Sequence, residues 1–306
     1  MKITILIIMI SVLTYANELI IPIPENATFN KAKAKLGKNL FFDPILSHDK
    51  TVSCANCHKP TEGWSDKNKI SLGVYGRKGF IQSITILNAR FNFRHMWNGK
   101  FPNLKSQINS PIHNNHEMNM TKELIEKRLN NSIFYKKLFK SVYDKDYITY
   151  EMIVDAITEF EKALFTPNCK FDLYLKGKSK LSKEEYKGYV LFKTYGCIIC
   201  HNGLNVGGNS FQKIGAIYPI KDCKGDRYSI TNNPSDKCVY KVPTLRNIAL
   251  TAPYFHNASA KTLFEAVKLM GYYNLGLKIS DKDAKLIVAF LKTLTGEQPN
   301  FLQENK

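Results

Sequence analysis

Cys54-Ala55-Asn56-Cys57-His58 and Cys197-Ile198-Ile199-Cys200-His201 decide how this chain is read, because both spell Cys-x-x-Cys-His. Each is the attachment pattern of a c-type haem. Two thiols form thioethers with the haem vinyl groups, and the adjacent histidine reaches the iron. Two copies imply two covalent haems, and so an electron-transfer protein or a redox enzyme. Zinc ribbons place their Cys-x-x-Cys pairs roughly 15–20 residues apart, whereas these pairs lie in opposite halves of the chain. A redox dithiol has no need of the following histidine.

Outward from the motifs, helical signals dominate. Ile153, Ala156, Ile157, Phe160 and Leu164 keep one apolar stripe over 151–165. Ser182 with Glu185, and Thr262 with Glu265, are capping boxes. Ser280 opens a last helix with Ala284, Ile287, Val288, Leu291 and Leu294 inside, and Gly296 is expected to stop it. Strand alternation is scarce. The polar stretch from Asn168 to Ser179 is the expected junction between two units, and the halves share little sequence beyond the haem motifs. The expected fold is all-α: two cytochrome c-like domains, 17–167 and 168–306, each wrapped around one attached haem.

The 306 residues suffice for two domains, and 44% hydrophobic residues suffice for packed cores. Residues 1–16 read as a cleaved secretory signal: Lys2, an apolar run from Ile3 to Leu13, then Ala16. Export to the periplasm is the expected destination. The net charge of +18 is mostly lysine, spread along the chain rather than clustered as in nucleic-acid binders. It suits a basic surface that steers acidic partners. Cys223 and Cys238 bracket a turn-rich segment in a compartment where disulfides persist, leaving Cys169 over. The sequence leaves that pairing open.

Around the motifs stand Leu36-Gly37, Phe41-Phe42-Asp43-Pro44, Gly63-Trp64-Ser65-Asp66, Leu87-Asn88-Ala89, Met96-Trp97-Asn98-Gly99, Gln107 and Glu117-Met118. The second half adds Val242-Pro243-Thr244-Leu245-Arg246-Asn247, Thr251-Ala252-Pro253-Tyr254-Phe255-His256 and Met270-Gly271. In order and spacing, from about Leu36 to Gly296, these resemble the bacterial di-haem cytochrome c peroxidases. The resemblance implies a peroxidatic haem on Cys54, Cys57 and His58, and an electron-transfer haem on Cys197, Cys200 and His201, with Met270 as its second axial ligand. It implies Glu117 as the catalytic carboxylate, Gln107 as the amide that orients peroxide, and Trp97 between the haems. It further implies calcium at Gln82, Thr251 and Pro253, with glutamine where asparagine is common. A homodimer, a small soluble cytochrome c or similar donor, and hydrogen peroxide complete the implied partners.

One departure stands out. Val74 takes the loop position where many members carry a histidine that ligates the oxidised peroxidatic iron. Tyr75, His95, His113 and His116 are the nearby groups able to substitute. The simplest expectation is that no inhibitory ligand is present. Two rivals remain: a di-haem electron carrier, which needs neither Glu117 nor Gln107, and a di-haem enzyme oxidising a protein side chain, whose relatives use tyrosine where Met270 stands.

Overall fold

A computed structural model of the chain describes residues 18–299, so the signal expected over 1–16 lies outside the described residues. The main helices are α1 (Lys31–Phe42), α2 (Leu104–His113), α3 (Lys122–Asn130), α4 (Ile133–Tyr143), α5 (Tyr150–Ala163), α6 (Lys170–Leu175), α7 (Lys183–Thr194), α8 (Leu263–Leu275) and α9 (Asp281–Lys292). The expected caps form. Ser182 and Glu185 exchange hydrogen bonds of 2.6 and 3.2 Å, Thr262 and Glu265 do so at 3.1 and 3.2 Å, and Ser280 accepts from Asp283 at 3.1 Å. One small ribbon adds to the mostly helical fold: β1 (Phe211–Lys213) pairs antiparallel with β2 (Val239–Lys241).

Two apolar cores form. One gathers Leu36, Leu40, Phe41, Trp64, Ile153, Ile157 and Phe160. The other gathers Phe171, Tyr189, Phe192, Ile287, Phe290 and Leu291. Each is built on a close helix crossing at a glycine. A Cβ on Gly37 of α1 would stand 2.0 Å from the Ala156 carbonyl oxygen and 2.9 Å from the Phe160 Cβ on α5. A Cβ on Gly188 of α7 would stand 1.9 Å from the Leu286 carbonyl oxygen and 3.0 Å from the Phe290 Cβ on α9. No other side chain lets the two backbones approach so closely.

The repetition extends further. Thr85 Oγ1 accepts from Leu87 N–H, and Thr244 Oγ1 accepts from Arg246 N–H, both at 3.1 Å. Asn88 and Asn247 follow, each in the left-handed region at φ 59°. Their backbone N–H groups donate to Leu164 and Leu294, just past α5 and α9. Both asparagine side chains then reach Thr166 Oγ1 in the connector, at 2.8 and 2.9 Å. The halves thus share a geometric plan that their sequences hide.

One sequence expectation is corrected here. The last helix ends at Lys292, with Thr293 as its cap, short of Gly296. Gly296 serves packing instead, since its Cβ would lie 2.3 Å from the Thr166 carbonyl oxygen. The polar stretch 168–179 contains α6, because Phe171 is buried in the second core.

Residues 18–23 dock on that second core. Ile20 bridges Gly203, and Ile23 N–H donates to Asp172 Oδ2 at 3.1 Å. Arg246 ties this corner together. It donates to Asp172 Oδ1 at 2.6 Å, to Cys169 Sγ at 3.0 Å and to the Ile21 carbonyl at 2.8 Å. Cys223 and Cys238 are joined as a disulfide, while Cys169 is free and buried.

Gly188→Ala should destabilise the protein by about 3 kcal/mol, the upper end of ordinary overpacking. The added methyl meets backbone that cannot step aside. Urea unfolding of the purified variant against wild type is the check; equal midpoints and slopes would refute the close crossing.

Candidate functional site

Each Cys-x-x-Cys-His motif lines its own cavity. The first, about 290 Å³, is bounded by Cys54, Cys57, His58, Gln107, Glu117 and Glu161. The second, about 220 Å³, is bounded by Cys197, Cys200, His201, Met270, Lys241 and Tyr254. The two share a wall of Gln82, Ile84, Thr85, Asn92 and Trp97.

The donor chemistry fits a haem in each. His58 Nδ1 donates to the Trp64 carbonyl at 3.3 Å, which leaves Nε2 as a free lone pair. His201 is buried, and its Nδ1 has no hydrogen-bond partner. Burial pushes the His58 pKa down and that of His201 to about 4, so both imidazoles stay in the neutral, ligating form. Burial pushes the Cys57 and Cys197 thiols each up to about 11. Neither pair is set up as the thiolates that a redox dithiol or zinc requires. The capped helix α8 brings Met270 to the same cavity as His201.

In the first cavity Gln107 comes from α2, whose N-cap Asn103 accepts from Ser106 N–H at 2.9 Å. Glu117 is held by Asn114, which donates to its Oε1 at 2.7 Å. Burial raises the Glu117 pKa, opposed by that hydrogen bond and by His116. The loop beside it is a tight turn closed by Leu72 and Lys78. A Cβ at Gly73 would fall 2.1 Å from the His116 carbonyl oxygen. Val74 N–H donates to the Glu117 carbonyl at 2.8 Å.

Of the groups able to replace the missing loop histidine, Tyr75 and His113 lie off the cavity and His95 and His116 line it. Tyr75 is 54% exposed and bonded through its hydroxyl to His48, with Arg77 over its ring, so it faces away from the cavity. His113 is held between the Met120 carbonyl at 2.7 Å and the Tyr150 hydroxyl at 3.1 Å, off the cavity wall. His116 does line the cavity, but its Nδ1 donates to the Lys78 carbonyl at 3.0 Å and its ring packs on Phe80. His95 lines it too, and burial together with the Lys241 charge pushes its pKa to about 4.

In the shared wall the Trp97 indole donates to the Gln82 carbonyl at 2.8 Å. Its edge meets Tyr240 and His256, which stack on each other at 4.6 Å. Gln82, Thr251 and Pro253 line the second cavity together. The Gln82 amide nitrogen is occupied by the Asp66 carbonyl at 3.2 Å, which leaves its oxygen to accept or ligate.

Sequence reasoning missed two charged groups. Glu161 of α5 is buried in the first cavity wall with Oε2 unpartnered. Its position four residues after Ile157 put it beside the inward stripe, so helical spacing alone could have found it. Lys241 on β2 is 3% exposed, and no local pattern announces it.

Comparison with known proteins finds similarity over most of the chain. Residues 31–180 match the family described as di-haem cytochrome c peroxidase. The chain is 44% identical to a cytochrome c551 peroxidase of Nitrosomonas europaea, over 94% of this chain and 86% of that one. It is 38% identical to a cytochrome c551 peroxidase of Pseudomonas aeruginosa, over 93% and 86%. A crystal structure of a MauG-like protein associated with microbial copper homeostasis superposes with a TM-score of 0.79 at 25% identity, covering 92% of this chain and 94% of that one.

Burial pushes the Glu161 carboxyl up to about 8, against 4.5 for the ordinary side chain. Between those values the folded protein keeps a proton that the unfolded chain releases, so rising pH costs stability. Glu161→Gln removes this dependence. The stability gap should therefore widen in favour of the glutamine variant from about pH 5 to about pH 8 and then level off. Thermal unfolding of both proteins across that range is the check, and a constant gap would refute it.

Proposed function

The chain belongs to the di-haem cytochrome c peroxidase family, and from that premise we propose that it reduces hydrogen peroxide to water with electrons from a small soluble cytochrome c or similar donor. The observation that carries this reading is the asymmetry of the two cavities. Glu117 and Gln107 line only the one with His58, Met270 lines only the one with His201, and Trp97 lines both. An electron carrier would need no carboxylate and amide over one iron site. A side-chain oxidase of this kind would not carry methionine at 270.

In this reading Cys54, Cys57 and His58 would hold one haem, and Cys197, Cys200, His201 and Met270 would hold the other, the thiols through thioether bonds and the histidines and methionine through the iron. When bound, the haems supply one-electron chemistry at iron, and a thioether ligand raises the potential of the second. Gln107 orients peroxide through its side-chain amide. Glu117 Oε2, the oxygen not held by Asn114, takes the proton from one peroxide oxygen and returns it to the other as the O–O bond breaks. Overall, one peroxide, two electrons and two protons give two waters. The Trp97 indole, fixed on the Gln82 carbonyl, bridges the cavities.

Other parts of the reading rest on the sequence and on the family. A division near residue 168 is supported by the two cores, one of residues 34–164 and one of residues from 169 onward that also takes in Ile20. Calcium held by the Gln82 side chain and the Thr251 and Pro253 carbonyls is supported by their shared cavity. Periplasmic location follows from the leader at 1–16, and a homodimer follows from the family. Val74 offers no ligating atom and Tyr75 is turned outward, which supports a peroxidatic site free of the usual loop ligand in the oxidised protein.

The decisive assay is peroxide-dependent oxidation of reduced cytochrome c by haem-loaded protein, run fully oxidised and again half-reduced. Turnover in both states is expected, and Val74→His should make turnover depend on half-reduction. Turnover in neither state, with both haems in place, would return the protein to the class of carriers. Glu117→Gln should lower kcat/KM about 10²–10⁴-fold, the range for general acid–base groups. Because burial raises the Glu117 pKa, wild-type activity should fall on acidification at a higher pH than an ordinary glutamate would give. The glutamine variant should lack that acid limb.

A further inference from the structure

Lys241 is 3% exposed, and among the described residues no carboxylate stands within ion-pair distance of it. An ammonium held this way is unfavourable unless an anion meets it. The position is fixed by pairing. Lys241 lies opposite Phe211 in the ribbon, and its N–H donates to the Trp97 carbonyl at 2.8 Å. Its side chain lines the cavity of Cys197, Cys200 and Met270. It also stands close enough to His95, on the wall of the other cavity, to lower that imidazole's pKa. Lys241 therefore sits where the two cavities come nearest.

The cavities are short of other cations. Among the described residues no lysine or arginine lines the first, and the second has only Lys213 besides Lys241, with Lys213 exposed. A c-type haem carries two propionate carboxylates on the edge away from its thioethers. Buried carboxylates need a charged partner as much as a buried ammonium does.

We propose that the Lys241 ammonium pairs with a haem propionate carboxylate at the wall between the two cavities. This rests on the reading that both cavities hold haem. The pair fixes the rotation of that haem about its axial bonds. It also keeps a positive charge near the iron, which favours the reduced state. Burial alone holds the Lys241 pKa at about 8, and a carboxylate beside it would restore the permanent charge.

The test is a spectroelectrochemical titration of holoenzyme, resolving both haems, for wild type, Lys241→Met and Lys241→Arg. Lys241→Met leaves the carboxylate unpaired in a buried site, so its folding and haem content are verified before titration, and Lys241→Arg keeps the charge. The methionine variant should make reduction of one haem about tenfold less favourable, a shift of about 59 mV for one electron. The arginine variant should stay within threefold of wild type. If the low-spin haem on the Met270 side moves, the carboxylate comes from that haem; if the other moves, it comes from the peroxidatic one. Unmoved potentials with two haems per chain, counted by pyridine haemochrome, would overturn the pairing alone. Fewer than two haems in wild type would overturn the haem reading and the pairing together.

Discussion

The fold depends on two places where helix backbones touch without a side chain between them. Gly37 against Ala156 and Gly188 against Leu286 bring each helix pair to its closest approach. The phenylalanine beside each contact, Phe160 or Phe290, then packs down into its own core. Between the members of each pair, on loops joined by further helices, lie the haem motif, the Thr85 or Thr244 turn, and the left-handed asparagine. A bound cofactor would fill space that helices fill in other all-α folds. Loops otherwise poor in packing are tied by side-chain hydrogen bonds, as the Thr166 hydroxyl is by the Asn88 and Asn247 amides.

The chemistry was easier to read in the sequence than the frame that holds it. Cys54, Cys57, His58 and their counterparts announce themselves because covalent attachment demands fixed spacing. Helix caps were legible because Ser182, Thr262 and Ser280 bond to groups three residues away. The internal repeat was not legible. It survives as single glycines, threonines and asparagines, each required by one backbone contact, amid side chains free to diverge. Gly296 misled because a glycine past a helix suggests a stop, whereas the chain uses it for contact with Thr166. Tyr75 looked able to face the iron site until its bond to His48 set its direction. Contacts between residues distant in sequence leave no local pattern, so Lys241 gave no warning.

Buried charge is distributed unevenly across the shared wall. On one side Glu117 and Glu161 both have raised pKa values, each chiefly from burial. On the other, Lys241 and His201 are pushed down for the same reason. Each cavity thus disfavours the charge its own side chains would carry. A low-dielectric wall magnifies the effect of any charge that enters. Trp97 and Gln82 stand in the middle, joined by one hydrogen bond, where such an effect would be felt from both sides.

The corner around Arg246 has a consequence for how this chain comes to be. Residues 18–23 find their partners at Asp172, Gly203 and Arg246. During synthesis, then, this segment must wait, unpaired, while the 149 residues to Asp172 and the 225 to Arg246 follow. Local helices can assemble meanwhile, but the closing contact is among the most distant in sequence and so among the slowest to find. The halves are consequently not independent cassettes: severing the chain in the connector would leave the second core without Ile20, on the wrong side of the cut.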